Sequence, residues 1–102
     1  MPQITPFEQY AQAYDQWFER NPDAYNAELE LIRGLLPAQP EAEGLEVGVG
    51  SGKFAGPLGI ETGVDPSKQM AARAEKLGIR VVLGVAEDLP FPEARFDYVL
   101  LV

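Results

Sequence analysis

Leu45-Glu46-Val47-Gly48-Val49-Gly50-Ser51-Gly52-Lys53-Phe54 decides how the rest of this chain reads. Residues 45–49 form the apolar run of a buried strand, and glycines then occupy alternate positions. Such glycines allow a tight turn whose backbone can approach a ligand closely. A short helical stretch over 53–58 follows, and the free N–H groups at its start would face the same ligand. Spacing excludes two phosphate-binding turns. A Walker loop would need glycine at 47 and serine or threonine at 54, where Val47 and Phe54 stand. The dinucleotide pattern G-x-G-x-x-G, counted from Gly48 and Gly50, lacks its last glycine. Taken alone, the turn is open between a ligand site and a flexible connection.

Downstream, short apolar runs alternate with helix. Residues 60–64 suit a second strand, and 66–77 an amphipathic helix begun by Asp65 and closed by Gly78, a residue fitted to a left-handed cap. Residues 80–83 read as a third strand and 96–102 as a fourth. Strand, helix, strand, helix, strand predicts parallel βαβ units with right-handed crossovers.

Two further stretches carry chemistry. In Gly63-Val64-Asp65-Pro66-Ser67 the acid stands thirteen residues beyond Gly52, at the end of the second strand. There it can accept hydrogen bonds from ribose hydroxyls beside the first strand's loop, or cap the helix opening at Pro66. Gly84-Val85-Ala86-Glu87-Asp88-Leu89-Pro90-Phe91 follows the third strand, at the sheet edge where open α/β folds bind ligands. It could offer a backbone N–H and apolar walls to a flat base, or be an ordinary loop.

Upstream, residues 6–36 read as helix. Thr5 fits an N-cap, Pro6 the first helical position, and Glu8 the capping-box spacing. Phe7, Tyr10, Tyr14, Trp17 and Phe18 recur on one face, and Asn21-Pro22 breaks the helix. Tyr25, Leu29, Ile32, Leu35 and Leu36 form a second stripe, ended by Pro37, and 38–44 is a polar linker. The aromatic stripe can serve as core or as a lid over a ligand.

Composition narrows the chemistry. The 102 residues suit one small domain. Cysteine and histidine are both absent, which removes disulfides, thiolate zinc sites, a cysteine nucleophile and the usual general base. Eight basic against sixteen acidic residues give a net charge of −8. The basic residues form no stripe, so nucleic acid and anionic membranes are not expected partners. The N-terminus has no signal-peptide pattern, and a cytoplasmic location is expected.

In this order and spacing, the stretches resemble the class I S-adenosylmethionine-dependent methyltransferases. Residues 46–52 look like that family's first motif, 63–67 its second, 84–91 its third and 96–100 its fourth. Tyr14-Asp15-Gln16-Trp17-Phe18 is similar to the leader of the branch acting on small molecules. The resemblance implies a Rossmann-like α/β sheet of order 3-2-1-4 over 45–102, with a helical leader and linker over 1–44. It implies S-adenosylmethionine as cofactor. Glu46 would meet its methionine amino group, Gly48, Gly50 and Gly52 would form the turn along methionine and ribose, and Asp65 would hold the ribose hydroxyls. Ala86 would offer its N–H to the adenine, with Glu87 nearby and Val85 where many relatives carry an acid. Pro66, Ser67 and Met70 would flank the ring (Met70 is equally a core candidate), and Tyr14 and Trp17 would be lid residues.

The family's full domain has seven strands ordered 3-2-1-4-5-7-6, and this sequence supplies the first four. Residues completing the acceptor pocket are therefore not assigned. The fourth strand's outer edge is expected to self-associate or to pair with a fragment supplying the rest. Three functions follow: methyl transfer to a small-molecule acceptor; an inactive cofactor-binding or assembly module, truncated after the fourth strand; or a nicotinamide-dependent oxidoreductase, which the failed G-x-G-x-x-G opposes.

Overall fold

The computed structural model describes residues 4–39, 41–89, 91 and 95–101, with side chains from residue 12 onward. The side chains of Thr5, Phe7, Glu8 and Tyr10, together with Pro90 and Val102, lie outside the described residues. The elements are α1 (Ile4–Arg20), α2 (Pro22–Leu35), β1 (Gly44–Val47), α3 (Ala55–Leu58), β2 (Thr62–Asp65), α4 (Lys68–Glu75), β3 (Arg80–Leu83) and β4 (Tyr98–Leu101).

All strand pairs are parallel. Glu46 of β1 stands opposite Gly63 of β2, Val64 of β2 opposite Val82 of β3, and Leu45 of β1 opposite Val99 of β4. The order β3-β2-β1-β4 is the expected one. Parallel strands bring their carboxyl ends to one edge, so the segments leaving β1, β2 and β3 gather there.

Side chains alternate across a strand. Leu45, Val47 and Val64 form one buried cluster, against which Phe91 and Phe96 pack. On the other face Val49, Ala55, Ile60, Ala74 and Ile79 form a second. Gly63 belongs to this face for a steric reason: a Cβ there would lie 2.5 Å from the Val49 side chain, which returns over it from the turn. Phe18 of α1, Leu29 of α2 and Phe54 make a third cluster, the Phe18 and Phe54 rings meeting edge to face at 5.4 Å.

Several sequence expectations shift, each for a local reason. Helix α1 is already running at Ile4, so Thr5 is not its N-cap. Strand β1 ends at Val47 rather than at 49, because Gly48 turns the chain with φ 74°. Helix α4 begins two residues later than expected and is capped by Ser67, whose Oγ accepts from the Met70 N–H at 3.2 Å. Asp65 does not cap it, because its carboxylate bonds elsewhere. Strand β4 starts at Tyr98; Phe96 instead packs its ring against Phe91. The α1 stripe divides: Phe18 is buried, whereas Tyr14 and Trp17 are 40% and 50% exposed and are not core.

Candidate functional site

The site lies at the carboxyl edge of the sheet. Gly48, Gly50 and Gly52 all have positive φ, 74°, 57° and 87°, a region costly for other residues. They differ in what surrounds them. A Cβ at Gly48 or Gly50 would meet nothing within 4 Å, so both present open backbone. A Cβ at Gly52 would lie 2.6 Å from Ile79 Cδ1, so that glycine faces the core. The turn is fastened to β2 by the Gly48 and Val49 N–H groups, which donate to the Val64 carbonyl at 2.8 and 3.1 Å.

Asp65 organises this edge. It is only 5% exposed. Its Oδ2 accepts from the Gly50 N–H at 2.9 Å, and its Oδ1 from the Ser67 N–H, also at 2.9 Å. The second bond, two residues along, is an Asx turn that sets the path into α4. Each carboxylate oxygen keeps a further acceptor position. The Asp65 carbonyl also receives the Gly84 N–H at 3.2 Å, which ties the loop after β3 to the same point.

Glu46 is the less comfortable acid. It is 2% exposed, and its Oε1 is buried with no hydrogen-bond partner. Burial pushes its carboxyl up to about 8; the Ala55 backbone N–H pulls in the opposite direction, and the nearby Asp65 charge adds to the rise. Buried polar atoms are nearly always satisfied, so an orphaned oxygen calls for a reason. A cationic partner would supply one.

The remaining sequence candidates are distributed around this pair. Pro66 is half-buried, while Ser67 is fully buried as the α4 cap, and Met70 is fully buried in the core beneath it. Beyond β3, Val85 pairs with Asp88 in an isolated bridge, leaving Ala86 and Glu87 exposed at the loop tip. Tyr14 and Trp17 rest edge-on against Phe18, at 4.8 and 5.2 Å between ring centres.

Asp15, Arg73 and Tyr25, given no individual site role by sequence, join the site. Asp15 of α1 is 8% exposed, and its Oδ2 accepts from the Ser51 hydroxyl in the middle of the glycine turn. The Arg73 guanidinium of α4 stands 3.9 Å from the same oxygen. The available signal was an acid set inside the aromatic run of α1. Tyr25 lies in the apolar stripe of α2 by sequence, yet its hydroxyl donates to the Lys53 carbonyl. Burial raises its phenol above the ordinary range, helped by the Asp15 and Glu46 charges. Among the described residues no group of three or more carboxylates could hold a metal.

A parallel 3-2-1-4 sheet, with an open glycine turn after β1 and an acid at the end of β2, is the Rossmann-like methyltransferase fold over its first four strands. The chain belongs to the class I S-adenosylmethionine-dependent methyltransferase family, whose sequence profile, described as a methyltransferase domain, matches residues 45–102. An uncharacterized protein of Methanocaldococcus jannaschii is 46% identical over 98 residues, covering 96% of this chain and 46% of its own length. An uncharacterized protein of Mycobacterium tuberculosis is 35% identical over 105 residues, covering 99% of this chain and 36% of its own. Among solved structures, a Thermotoga maritima S-adenosylmethionine-dependent methyltransferase, described as a possible histamine N-methyltransferase, is 44% identical with a TM-score of 0.85. That match covers 93% of this chain and 44% of the Thermotoga protein. The chain thus spans less than half the length of these relatives. No helix among the described residues is long and apolar enough to cross a membrane.

Proposed function

We propose that this protein holds S-adenosylmethionine across the carboxyl edge of β1, β2 and β3 and serves methyl transfer to a small-molecule acceptor. The observation carrying this reading is Glu46: a buried carboxyl group with one oxygen unpartnered, next to a turn whose Gly48 and Gly50 are open. An ammonium group satisfies that oxygen, and a ligand chain fits against backbone that a Cβ would obstruct.

Each site residue has a role in this reading. Glu46 pairs with the cofactor's amino group. Gly48 and Gly50 let its chain lie close to the turn, while Gly52 keeps the turn packed on Ile79 and Leu77. Asp65 accepts the ribose hydroxyls with its remaining lone pairs while fixing the Gly50 N–H. The Val85–Glu87 loop, tied to Asp65 through Gly84, offers the Ala86 N–H to the base. Pro66 bounds the ring, and Ser67 acts through the start of α4. Tyr14 and Trp17, exposed on α1, cover the site from above. The bound cofactor supplies an electrophilic sulfonium methyl. The chain's part is to orient it and to keep water away, a contribution that requires neither histidine nor cysteine.

The net charge of −8 favours a neutral or cationic small acceptor over nucleic acid. The Thermotoga relative's description makes small amines the first acceptors to try. Incubation with methyl-labelled cofactor and an amine panel tests this: label in the small-molecule fraction is expected. Label recovered on nucleic acid instead would contradict the acceptor class.

A further inference from the structure

Helix α1 reaches the rest of the fold by two different means. One is apolar: Phe18 inserts against Leu29 and Phe54. The other is a polar row on a single helix face, at spacings of three and four residues. Gln12 donates to Gln69 of α4 at 2.8 Å, Asp15 accepts from Ser51, and Glu19 stands 3.4 Å from Lys53 Nζ. Gln12, Gln69 and Glu19 are near solvent, and exposed contacts of that kind contribute little. Asp15 differs, because it is buried and its partner lies within the turn.

Ser51 directly follows Gly50, whose N–H is held by Asp65. The turn is therefore gripped from two sides, by an acid of β2 at residue 50 and by an acid of α1 at residue 51. Among the described residues, losing the Ser51 hydroxyl would leave the buried Asp15 carboxylate with the Arg73 guanidinium at 3.9 Å.

We propose that Asp15 is a positioning residue and that its bond to Ser51 is a clasp linking the docking of α1 to the order of the glycine turn. Undocking α1 frees the turn, and fixing the turn docks α1. Its extension to the cofactor, in which an occupied turn closes α1 with Tyr14 and Trp17 over the site, rests on the function proposed above. The clasp itself does not.

Amide hydrogen exchange on the full chain tests both. In the ligand-free protein, Ser51→Ala is expected to speed exchange of residues 15–20 and of 50–53 about tenfold, the effect of one lost charge-assisted bond. Ser51→Thr, which keeps the hydroxyl, restores slow exchange. Asp15→Asn serves as the second variant should Ser51→Ala fold poorly. Unchanged exchange at 63–64 and 81–82 separates a clasp from general destabilisation. If α1 and the turn respond independently, or only together with the whole sheet, the clasp is overturned.

Addition of S-adenosylhomocysteine is expected to slow exchange in 15–20 of the wild type, and in Ser51→Ala to slow it no more than in the sheet. Should the ligand bind without protecting α1, the link to the cofactor is wrong. Should it fail to bind at all, the proposed function falls, and the ligand-free variants alone decide the clasp.

Discussion

The backbone N–H of Gly50 donates to Oδ2 of Asp65 at 2.9 Å, joining the turn after β1 to the last residue of β2. The same carboxylate fixes the Ser67 N–H, and Ser67 in turn caps α4. One side chain thus shapes the turn, the helix start and, in the proposed function, the ribose subsite.

Asp65→Ala removes the acceptor from two backbone donors. Each charge-assisted bond is worth about 1.5–3 kcal/mol, so a stability loss of about 3–6 kcal/mol is expected from denaturant unfolding. S-adenosylhomocysteine affinity should fall by about tenfold or more in variant protein that remains folded. Unchanged affinity would remove Asp65 from the site.

Gly50→Val separates binding from folding. Its Cβ meets no heavy atom within 4 Å, but φ of 57° strains any β-branched residue by about 1–2 kcal/mol. The sheet is expected to stay folded by circular dichroism while cofactor binding disappears. Gly52→Ala should behave in the reverse order, costing stability first, because its Cβ points at Ile79.

Glu46 sets a pH dependence. Its carboxyl lies at about 8 in the folded protein against an ordinary 4.5, so the folded state holds a proton that the unfolded state has lost between those values. Stability should therefore fall as pH rises through that window, and Glu46→Gln should flatten the slope in a series of unfolding curves. Pairing with a ligand ammonium requires the carboxylate, so affinity for S-adenosylhomocysteine should rise toward about tenfold per pH unit between about pH 5.5 and 7. Binding without proton release in that range would contradict the pairing.

Phe18 and Trp17 are neighbours with different duties. Phe18→Ala empties a buried aromatic site shared with Leu29 and Phe54, with an expected cost of about 3–5 kcal/mol. Trp17 is half exposed, so Trp17→Ala should stay within about 0.5 kcal/mol of wild type in thermal unfolding. Equal losses would mean that Trp17 anchors the helix and is no lid.

Much of the architecture is legible in the sequence. Alternating strand and helix patterns predict parallel βαβ units with right-handed crossovers, the family resemblance implies the order 3-2-1-4, and Arg80–Leu83 falls where its apolar run lies. Boundaries were harder wherever a side chain had a competing use. By sequence Asp65 could cap the helix opening at Pro66 or accept ribose hydroxyls; in the fold its carboxylate takes the Gly50 and Ser67 N–H groups, and Ser67 becomes the cap. Strand β1 stops at Val47 because positive φ at Gly48 leaves the strand conformation, although Val49 is as apolar as its predecessors. Within the site, the glycines and Asp65 stand out by spacing, and Glu46 by the family resemblance. The Asp15–Ser51 bond spans 36 positions and depends on where α1 lands, which no local pattern encodes.

Calorimetric titration of the protein with S-adenosylhomocysteine, with NADH in parallel, tests the central claim most directly. Micromolar binding of the first, none of the second, and loss of binding in Gly50→Val is the expected result. A folded protein that binds neither ligand, or NADH alone, would contradict the assignment of the glycine turn, Glu46 and Asp65 to this cofactor.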